Sequence, residues 1–352
     1  MSARTAGVFA RIKPVVARLV ALAQRYPGII AAFGFVSGLA SFFLVERHEA
    51  FARIIAIVML VSWVWLVLEQ ALRKLVSDRF GVSIPTPLLR YATQMIHQES
   101  LFFVLPFLLT ATTWNSGQLV FTGALVLATV FALVDPLYYK VLAPRRWVFL
   151  TYHTLALFAV LLTALPLILR IPTGESYKLA LGVAVLLSFP SVAGSITVPT
   201  IWRKLAVVVL MVALAAGGWM ARLWVPPATL RMTEMAIATD INARERAPAG
   251  SLKEVSVSDL HSNGLFAYTA ISAPLGLHER IYHVWVRNGQ EVDRIALEID
   301  GGRKQGYRAW THKRNFPPDP SGRWIVKVVT DTGQMIGIMR FDITSDTTGS
   351  PR

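Results

Sequence analysis

The sequence predicts an α-helical polytopic membrane bundle of about seven spans, followed by an all-β, immunoglobulin-like sandwich. Long uncharged runs follow one another as far as Trp224, and none of the 35 residues between Glu99 and Asp135 is charged. Beyond Trp224, apolar and polar residues alternate between turn signals. Lys and Arg outnumber Asp and Glu by 19 to 7 up to Trp224 and by 16 to 14 after it, so the excess positive charge belongs to the apolar part.

Residues 1–27 form a basic segment before the first apolar run. Arg4, Arg11, Arg18 and Arg25 recur every seven residues, which places them on one face of a helix with a drift of about 20° per heptad. The spacing predicts an amphipathic helix lying on the membrane surface; a solvated basic tail is the alternative. Cleavage as a signal peptide is not expected, because the basic part is too long and no small-residue cleavage site follows.

Residues 28–224 are predicted to form a seven-helix transmembrane domain. A span needs about 20 largely apolar residues, at about 1.5 Å each, to cross about 30 Å. The uncharged stretch before Asp135 is long enough for two spans, with a turn at 114–117, and Pro190 and Gly194 interrupt the sixth span. The predicted spans are 28–45, 52–68, two within 100–134, 147–169, 179–198 and 205–224.

Charge on the predicted loops indicates a topology. Alternate loops carry 14 Lys and Arg on one side and 5 on the other. Positive loops stay in the cytoplasm, so seven spans predict a bacterial inner-membrane protein with a cytoplasmic N-terminus and a periplasmic C-terminal domain. The lipid bilayer is therefore the expected partner of the basic loops, and nucleic acid is not. The chain has no cysteine, which excludes disulfides and thiolate metal sites.

Four polar side chains are predicted to lie at similar depth near the cytoplasmic ends of the third to fifth spans: His97, Glu99, Asp135 and His153. Ionisable groups inside a membrane are candidate functional groups by default. Such a cluster would relay protons, hold a metal or bind a head group, as a transporter or a lipid-handling enzyme requires. In the alternative, Glu99 and Asp135 bracket a hairpin at the interface, and backbone groups or tyrosines satisfy the histidines.

The C-terminal part is predicted to be a stalk or linker at 225–252, a β-sandwich at 253–345 and a disordered tail at 346–352. Asn288-Gly289 is typical of a two-residue hairpin turn. Seven short alternating runs separated by turns favour an immunoglobulin-like sandwich. The predicted strands lie near 253–259, 265–272, 280–287, 291–299, 305–313, 323–330 and 335–343.

A candidate ligand or partner surface lies on this predicted sandwich. Aromatic and arginine side chains alternate along the strand at 305–313, and a histidine and a tryptophan share a face of the strand at 280–287. A strip of this kind suits an anionic glycan, a lipid head group or a periplasmic partner protein. In the alternative, Trp310 packs under a loop and the arginines are solvated. The candidate residues are Arg308, Trp310, His312, Arg314, His283 and Trp285.

No motif in the chain indicates catalysis. There is no GxSxG, HExxH or glycine-rich phosphate loop, and His278 and His283 are five apart, so on one strand they face opposite sides. We expect no catalytic residues, no metal and no cofactor. The leading hypothesis is a non-enzymatic membrane protein whose sandwich binds an envelope partner or glycan. The alternative hypothesis places the function in the polar cluster of the membrane part. A third hypothesis is a signalling receptor whose cytoplasmic output comes from a partner protein.

The region 264–343 resembles a bacterial domain family of unknown function that usually lies at the C-terminus of inner-membrane or exported proteins. The residues that carry the resemblance are His283-Val284-Trp285, Asn288-Gly289, Arg308-Ala309-Trp310, Gly322 to Val328, Asp331-Thr332-Gly333 and Phe341-Asp342-Ile343. Residues 1–220 are similar to the membrane region that accompanies this domain. The resemblance implies the same layout in a bacterial envelope, and it brings no catalytic residues.

Overall fold

The computed structural model describes residues 49–80, 86–193 and 200–345. The basic N-terminal segment, the first predicted span and the tail at 346–352 lie outside these residues. The helical part includes a π-helix, Leu137–Leu142, and a 3-10 helix, Ala221–Trp224. The helices are α1 (Glu49–Phe80), α2 (Thr86–Ala111), α3 (Gln118–Leu133), α4 (Arg146–Leu169), α5 (Thr173–Ala193) and α6 (Thr200–Met220).

The prediction of about seven membrane spans is wrong. Within the described ranges, only Arg146–Leu169 and Ile201–Trp224 are long and apolar enough to cross a membrane. Helix α3 has 16 residues, which is about 24 Å at 1.5 Å per residue and falls short of about 30 Å. Helix α2 has the length but carries Arg90 and several polar side chains. Within the described ranges, helices form where spans were predicted, but the uncharged runs overstated how many of them are long and apolar enough to cross a membrane.

The chain divides into two compact units, and each takes segments from several helices. The first unit comprises Met1–Pro106, Leu125–Ala164 and Val183–Val209. The second comprises Phe107–Ala124, Leu165–Gly182 and Leu210–Arg352. The second unit therefore contains the whole β domain together with short pieces of helix.

The predicted C-terminal β-sheet domain is confirmed. Its strands are β1 (Arg231–Ala238), β2 (Ile241–Asn242), β3 (Ala247–Pro248), β4 (Glu254–Ser256), β5 (Leu265–Ser272), β6 (His278–Arg287), β7 (Gln290–Asp300), β8 (Tyr307–Lys313), β9 (Gly322–Thr330) and β10 (Met335–Thr344). One sheet has the order β1-β5-β8 and the other the order β4-β10-β9-β6-β7, while β2 and β3 pair as a small hairpin. All pairs are antiparallel except β4 with β10.

The core of the domain lies between the two larger sheets. Trp285, Trp324 and Phe341 from the five-stranded sheet are buried against Leu265 and Ile271 from the three-stranded sheet. Side chains two residues apart on a strand share a face, so the alternation in sequence translates directly into this core. Apolar burial of this kind is the main favourable term in folding.

The segment 225–252, predicted as a stalk, contains the first strand of the domain. β1 pairs along β5 from Arg231 opposite Ser272 to Ala238 opposite Phe266. Sequence alternation does not reveal β1, because Ala236, Ile237 and Ala238 are all buried. The predicted strand at 253–259 is shorter than expected: β4 ends at Ser256, and helix α7 (Val257–Asn263) begins there.

Candidate functional sites

The first candidate site is a hydrogen-bonded chain of three side chains in the helical unit. His97 Nε2 on α2 lies 3.0 Å from His153 Nδ1 on α4. His97 Nδ1 lies 2.9 Å from the hydroxyl of Tyr138 in the π-helix. His97 is fully buried and Tyr138 is 2% exposed. Two of the four predicted cluster residues therefore meet directly, and a tyrosine satisfies the remaining nitrogen of His97.

Aromatic rings enclose the histidine pair. The Trp63 ring centroid lies 4.8 Å from that of His153, and Phe149 stacks on His153 at 6.2 Å. Tyr152 packs edge-on against His97 at 5.0 Å. Trp63 donates its indole N–H to the hydroxyl of Ser100 at 2.9 Å, so the polar edge of this ring is itself satisfied. The rings surround a pair in which His97 is fully buried and His153 is half-buried.

Asp135 and Glu99 are placed differently from the histidines. Asp135 is exposed and accepts a hydrogen bond from Gln94 Nε2 at 2.8 Å. Gln94 also donates to the carbonyl of Ala132 at 3.0 Å and lies one helical turn before His97. Glu99 is half-buried, and two residues turn an α-helix by about 200°, so it lies on the other side of α2 from His97.

Three buried polar atoms around the histidines have no hydrogen-bond partner among the described residues: Gln94 Oε1, Gln98 Nε2 and Tyr152 Oη. Gln94 and Gln98 are four residues apart and therefore share a face of α2. Buried polar atoms in proteins are usually paired with protein groups or ordered water. Within the described part of the chain, no group of three or more His, Cys, Asp or Glu side chains is placed to hold a metal ion.

On the β domain, His283 and Trp285 are core residues. Both are fully buried. His283 on β6 bonds across the core to both strands it faces: Nε2 lies 3.2 Å from the hydroxyl of Thr269, and Nδ1 lies 2.9 Å from that of Thr311. Burial lowers the pKa of His283 to about 3. The structure thus places these two residues away from the ligand surface predicted for them.

Arg308, Trp310 and His312 share the outer face of β8, where they are half-buried. The guanidinium of Arg246 stands 5.5 Å from the ring centroid of Trp310. Arg308 donates to the carbonyl of Glu245 at 2.6 Å. The β2–β3 hairpin therefore covers much of Trp310, as the packing alternative anticipated.

The end of the strip is held by local contacts. His312 stacks on Phe266 with ring centroids 3.9 Å apart. Its Nε2 donates to the carbonyl of Asn263 at 2.9 Å. Arg314 follows β8 and is exposed. The strip is therefore a packed aromatic and cationic face, and its role in binding stays a prediction.

Sequence reasoning missed Glu279, which links the β domain to a helix within the second unit. Glu279 is 4% exposed and accepts two bonds from Thr173, the first residue of α5: the backbone N–H at 2.7 Å and the hydroxyl at 2.8 Å. A carboxylate suits a helix N-terminus because it satisfies a free N–H group and the helix dipole. Burial raises the pKa of Glu279, and the bonds from Thr173 oppose this shift.

The turn between β9 and β10, together with the first residue of β10, forms further hydrogen bonds to helix ends in the second unit. Its backbone carbonyls accept bonds from helical side chains, and one of its side chains donates to the segment after α6. No sequence motif marks such contacts, because their partners are more than 100 residues apart. The pairs are Gln118 with Met335 at 2.8 Å, Arg222 with Thr332 at 3.1 Å and Gln334 with Val225 at 3.0 Å.

These features define a two-part protein: a helical region with a buried His–His–Tyr chain and a two-sheet β domain bonded to helix ends. The chain belongs to the family of unknown function DUF5924, whose model matches residues 9–267. The model of a protein of unknown function, DUF2914, matches residues 278–343. Among curated proteins and solved structures, none matches this chain, so the immunoglobulin-like class stays a prediction.

The two family models meet inside the β domain. The first ends within β5 and the second begins at β6. The three-stranded sheet therefore takes β1 and β5 from the first matched region and β8 from the second. The boundary between the models is not a boundary between folded domains.

Proposed function

We propose that this chain is an integral inner-membrane protein that transfers protons through the His97–His153 pair. The observation that carries the proposal is His97, which is fully buried and hydrogen-bonded through both ring nitrogens. The two long apolar helices support the membrane location, and one of them, α4, carries His153.

The chemistry follows from the two tautomers of imidazole. In one direction, the Tyr138 hydroxyl donates to His97 Nδ1, and His97 Nε2–H donates to His153 Nδ1. In the other, His153 Nδ1–H donates to His97 Nε2, and His97 Nδ1–H donates to the tyrosine oxygen. In both directions each of the two hydrogen bonds made by His97 keeps one donor and one acceptor, because a neutral histidine has one of each. Going from the first arrangement to the second, the Tyr138 proton moves to His97 Nδ1 and the His97 Nε2 proton moves to His153 Nδ1. His153 Nε2 then releases its own proton and the Tyr138 oxygen takes up another, so one proton enters at the tyrosine for each that leaves at His153.

An entry for protons is supported by the exposed Asp135 carboxylate. It bonds to Gln94, which lies one turn from His97 on α2. The orphan atoms of Gln94, Gln98 and Tyr152 offer both acceptors and donors beside the histidines. Water admitted there would make about three bonds to such groups and would join Gln94 to the histidine chain.

The test uses the full chain in sealed lipid vesicles loaded with a pH-sensitive dye. Under an imposed potential, we expect the wild-type protein to acidify or alkalinise the lumen. Tyr138→Phe removes one link, so it should slow the flux about ten-fold or more. Tyr139→Phe is the matched control, because Tyr139 touches Tyr138 but is not part of the chain. Equal flux for the two variants, or no wild-type flux above empty vesicles, contradicts the proposal.

A second candidate function is binding at the outer face of the β domain. We propose that this domain lies in the periplasm and binds an anionic glycan or an envelope protein without catalysis. Supporting it, Arg246 and Arg308 border Trp310, and cationic and aromatic groups together suit anionic sugars. The test is binding of a uronic-acid oligosaccharide to the full chain. Arg308→Gln should weaken oligosaccharide binding, whereas Arg294→Gln, on the other sheet, should leave it unchanged. Binding weakened by Arg294→Gln and not by Arg308→Gln would rule this face out.

A further inference from the structure

A cavity of about 430 Å³ lies beside the β domain within the second unit. Three chain segments form its walls: 110–115 at the end of α2, 232–235 on β1, and 336–340 on β10. The volume falls within the range of small-molecule sites in proteins, about 300 to 1,000 Å³. None of the residues that line it belongs to the histidine pair or to the strip on β8.

Irregularities in two strands open this cavity. The pairing register of β1 shifts between Met232 and Glu234, and that of β10 shifts between Met335 and Gly337. β-Bulges are over-represented next to functional sites, where they redirect side chains. A Cβ on Gly337 would stand 2.8 Å from the terminal methyl group of Met232, so glycine at this position makes room for the methionine.

The lining combines an apolar wall with two opposite charges. Met232, Met235 and Ile338 supply flexible apolar surface, and methionine adapts well to irregular ligands. Arg340 and Glu234 add one exposed cation and one exposed anion. Glu234 Oε2 accepts a hydrogen bond from the Tyr268 hydroxyl at 3.3 Å. Among the described residues no ion pair joins Glu234 to Arg340, so the arginine and the other carboxylate oxygen remain available to a ligand.

Two further groups define the ends of the cavity. The hydroxyl of Thr113 is buried and has no hydrogen-bond partner among the described residues. Trp114 is 58% exposed, follows the last turn of α2 and adds its indole ring to the lining. The ligand should therefore combine an alkyl chain with a polar head.

We propose that this cavity binds a single-chain zwitterionic phospholipid. The phosphate lies on Arg340, because guanidinium groups form strong charge-assisted bonds to phosphate oxygens. The ammonium group lies on Glu234, and the alkyl chain runs along the methionines. The two charges select the head group, while the apolar wall supplies the affinity. This site does not depend on proton transfer and adds a ligand class to the β domain.

The test uses the full chain held in an amphipathic polymer, with lysophosphatidylethanolamine carrying a brominated chain as the probe. Bromine quenches nearby tryptophan, so the wild-type protein should lose fluorescence saturably, and Trp114→Phe should lose less. Arg340→Gln should weaken binding about ten-fold, as expected for a lost bond to a charged group. Arg323→Gln is the matched control, because Arg323 is an exposed arginine on the neighbouring strand outside the cavity.

A second lipid separates the two charges. Lysophosphatidylglycerol has the phosphate but no ammonium group, so wild-type protein should bind it more weakly than the ethanolamine lipid. Glu234→Gln should abolish this preference and leave affinity for the glycerol lipid unchanged or higher. The proposal is overturned if wild-type fluorescence is not quenched, if Arg340→Gln and Arg323→Gln bind alike, or if Glu234→Gln keeps the preference.

Discussion

His283 shows at the residue scale how one buried side chain joins two sheets. Its ring nitrogens bond to Thr269 on β5 and Thr311 on β8, while His283 itself stands on β6 of the other sheet. The ring must be neutral in the folded protein because burial disfavours its charged form. In sequence, His283 alternates with apolar residues of β6, and nothing distinguishes it from a surface histidine.

We predict that His283 makes the β domain less stable in acid. The unfolded ring takes up a proton near pH 6.5, whereas the folded ring does so near pH 3. Stability is therefore lost as the pH falls from about 6.5 towards 3, by up to about 1.4 kcal/mol per unit. Urea unfolding of His283→Gln at several pH values should show a flatter acid limb. An unchanged limb, or an equal flattening in the exposed control His261→Gln, contradicts this.

Glu279 leads to the opposite pH dependence. Its folded pKa is raised, so its contribution is present at low pH and declines as the pH rises through that value. Glu279→Gln keeps an oxygen for the two Thr173 bonds without the buried charge. At pH 8 we expect this variant to equal or exceed wild-type stability and Glu279→Ala to lose about 1 kcal/mol, the usual cost of a lost cap. Thermal unfolding measures both, and equal losses would contradict the capping role.

At the scale of elements, strands with regular alternation were predicted well, and irregular ones were not. β5 was predicted at its observed bounds, and β6, β7, β8, β9 and β10 were predicted within two residues at every end, because turn signals separate these strands in the sequence. β1 was missed because residues 233–235 are all exposed and residues 236–238 are all buried, so exposure does not alternate along the strand. Within the described residues, the positions of the apolar helices were also predicted, but the number of helices able to cross a membrane was not.

The position of β1 predicts which fragment of the chain folds. A fragment of residues 225–345 contains every strand of the two larger sheets. A fragment of residues 278–345, close to the second family match, lacks β1, β4 and β5 and would expose the core face around Trp285 and Trp324. We expect cooperative unfolding, followed by tryptophan fluorescence, for the longer fragment and none for the shorter. Cooperative folding of the shorter fragment would show that β1 and β5 are dispensable.

For the whole molecule, the sequence predicted a division near Trp224. In the structure, the second compact unit combines the whole β domain with helix segments from before Trp224. The predicted stalk is replaced by a strand, and the β domain bonds to helix ends through Glu279 and the turn after β9. Sequence spacing brought His97, Asp135 and His153 to similar depth, but it did not identify Tyr138 or Gln94 as their partners. Such partners depend on helix rotation and packing, which hydropathy does not encode.

The most direct measurement of the central proposal is proton flux by the wild-type protein and by His153→Phe in sealed vesicles at equal protein density. Phenylalanine preserves the packing between Trp63 and Phe149 and removes only the hydrogen-bonding end of the chain. We predict a wild-type flux well above that of empty vesicles and a loss of about ten-fold or more in the variant. Equal flux in the two proteins would contradict a role for the His97–His153 pair in proton transfer.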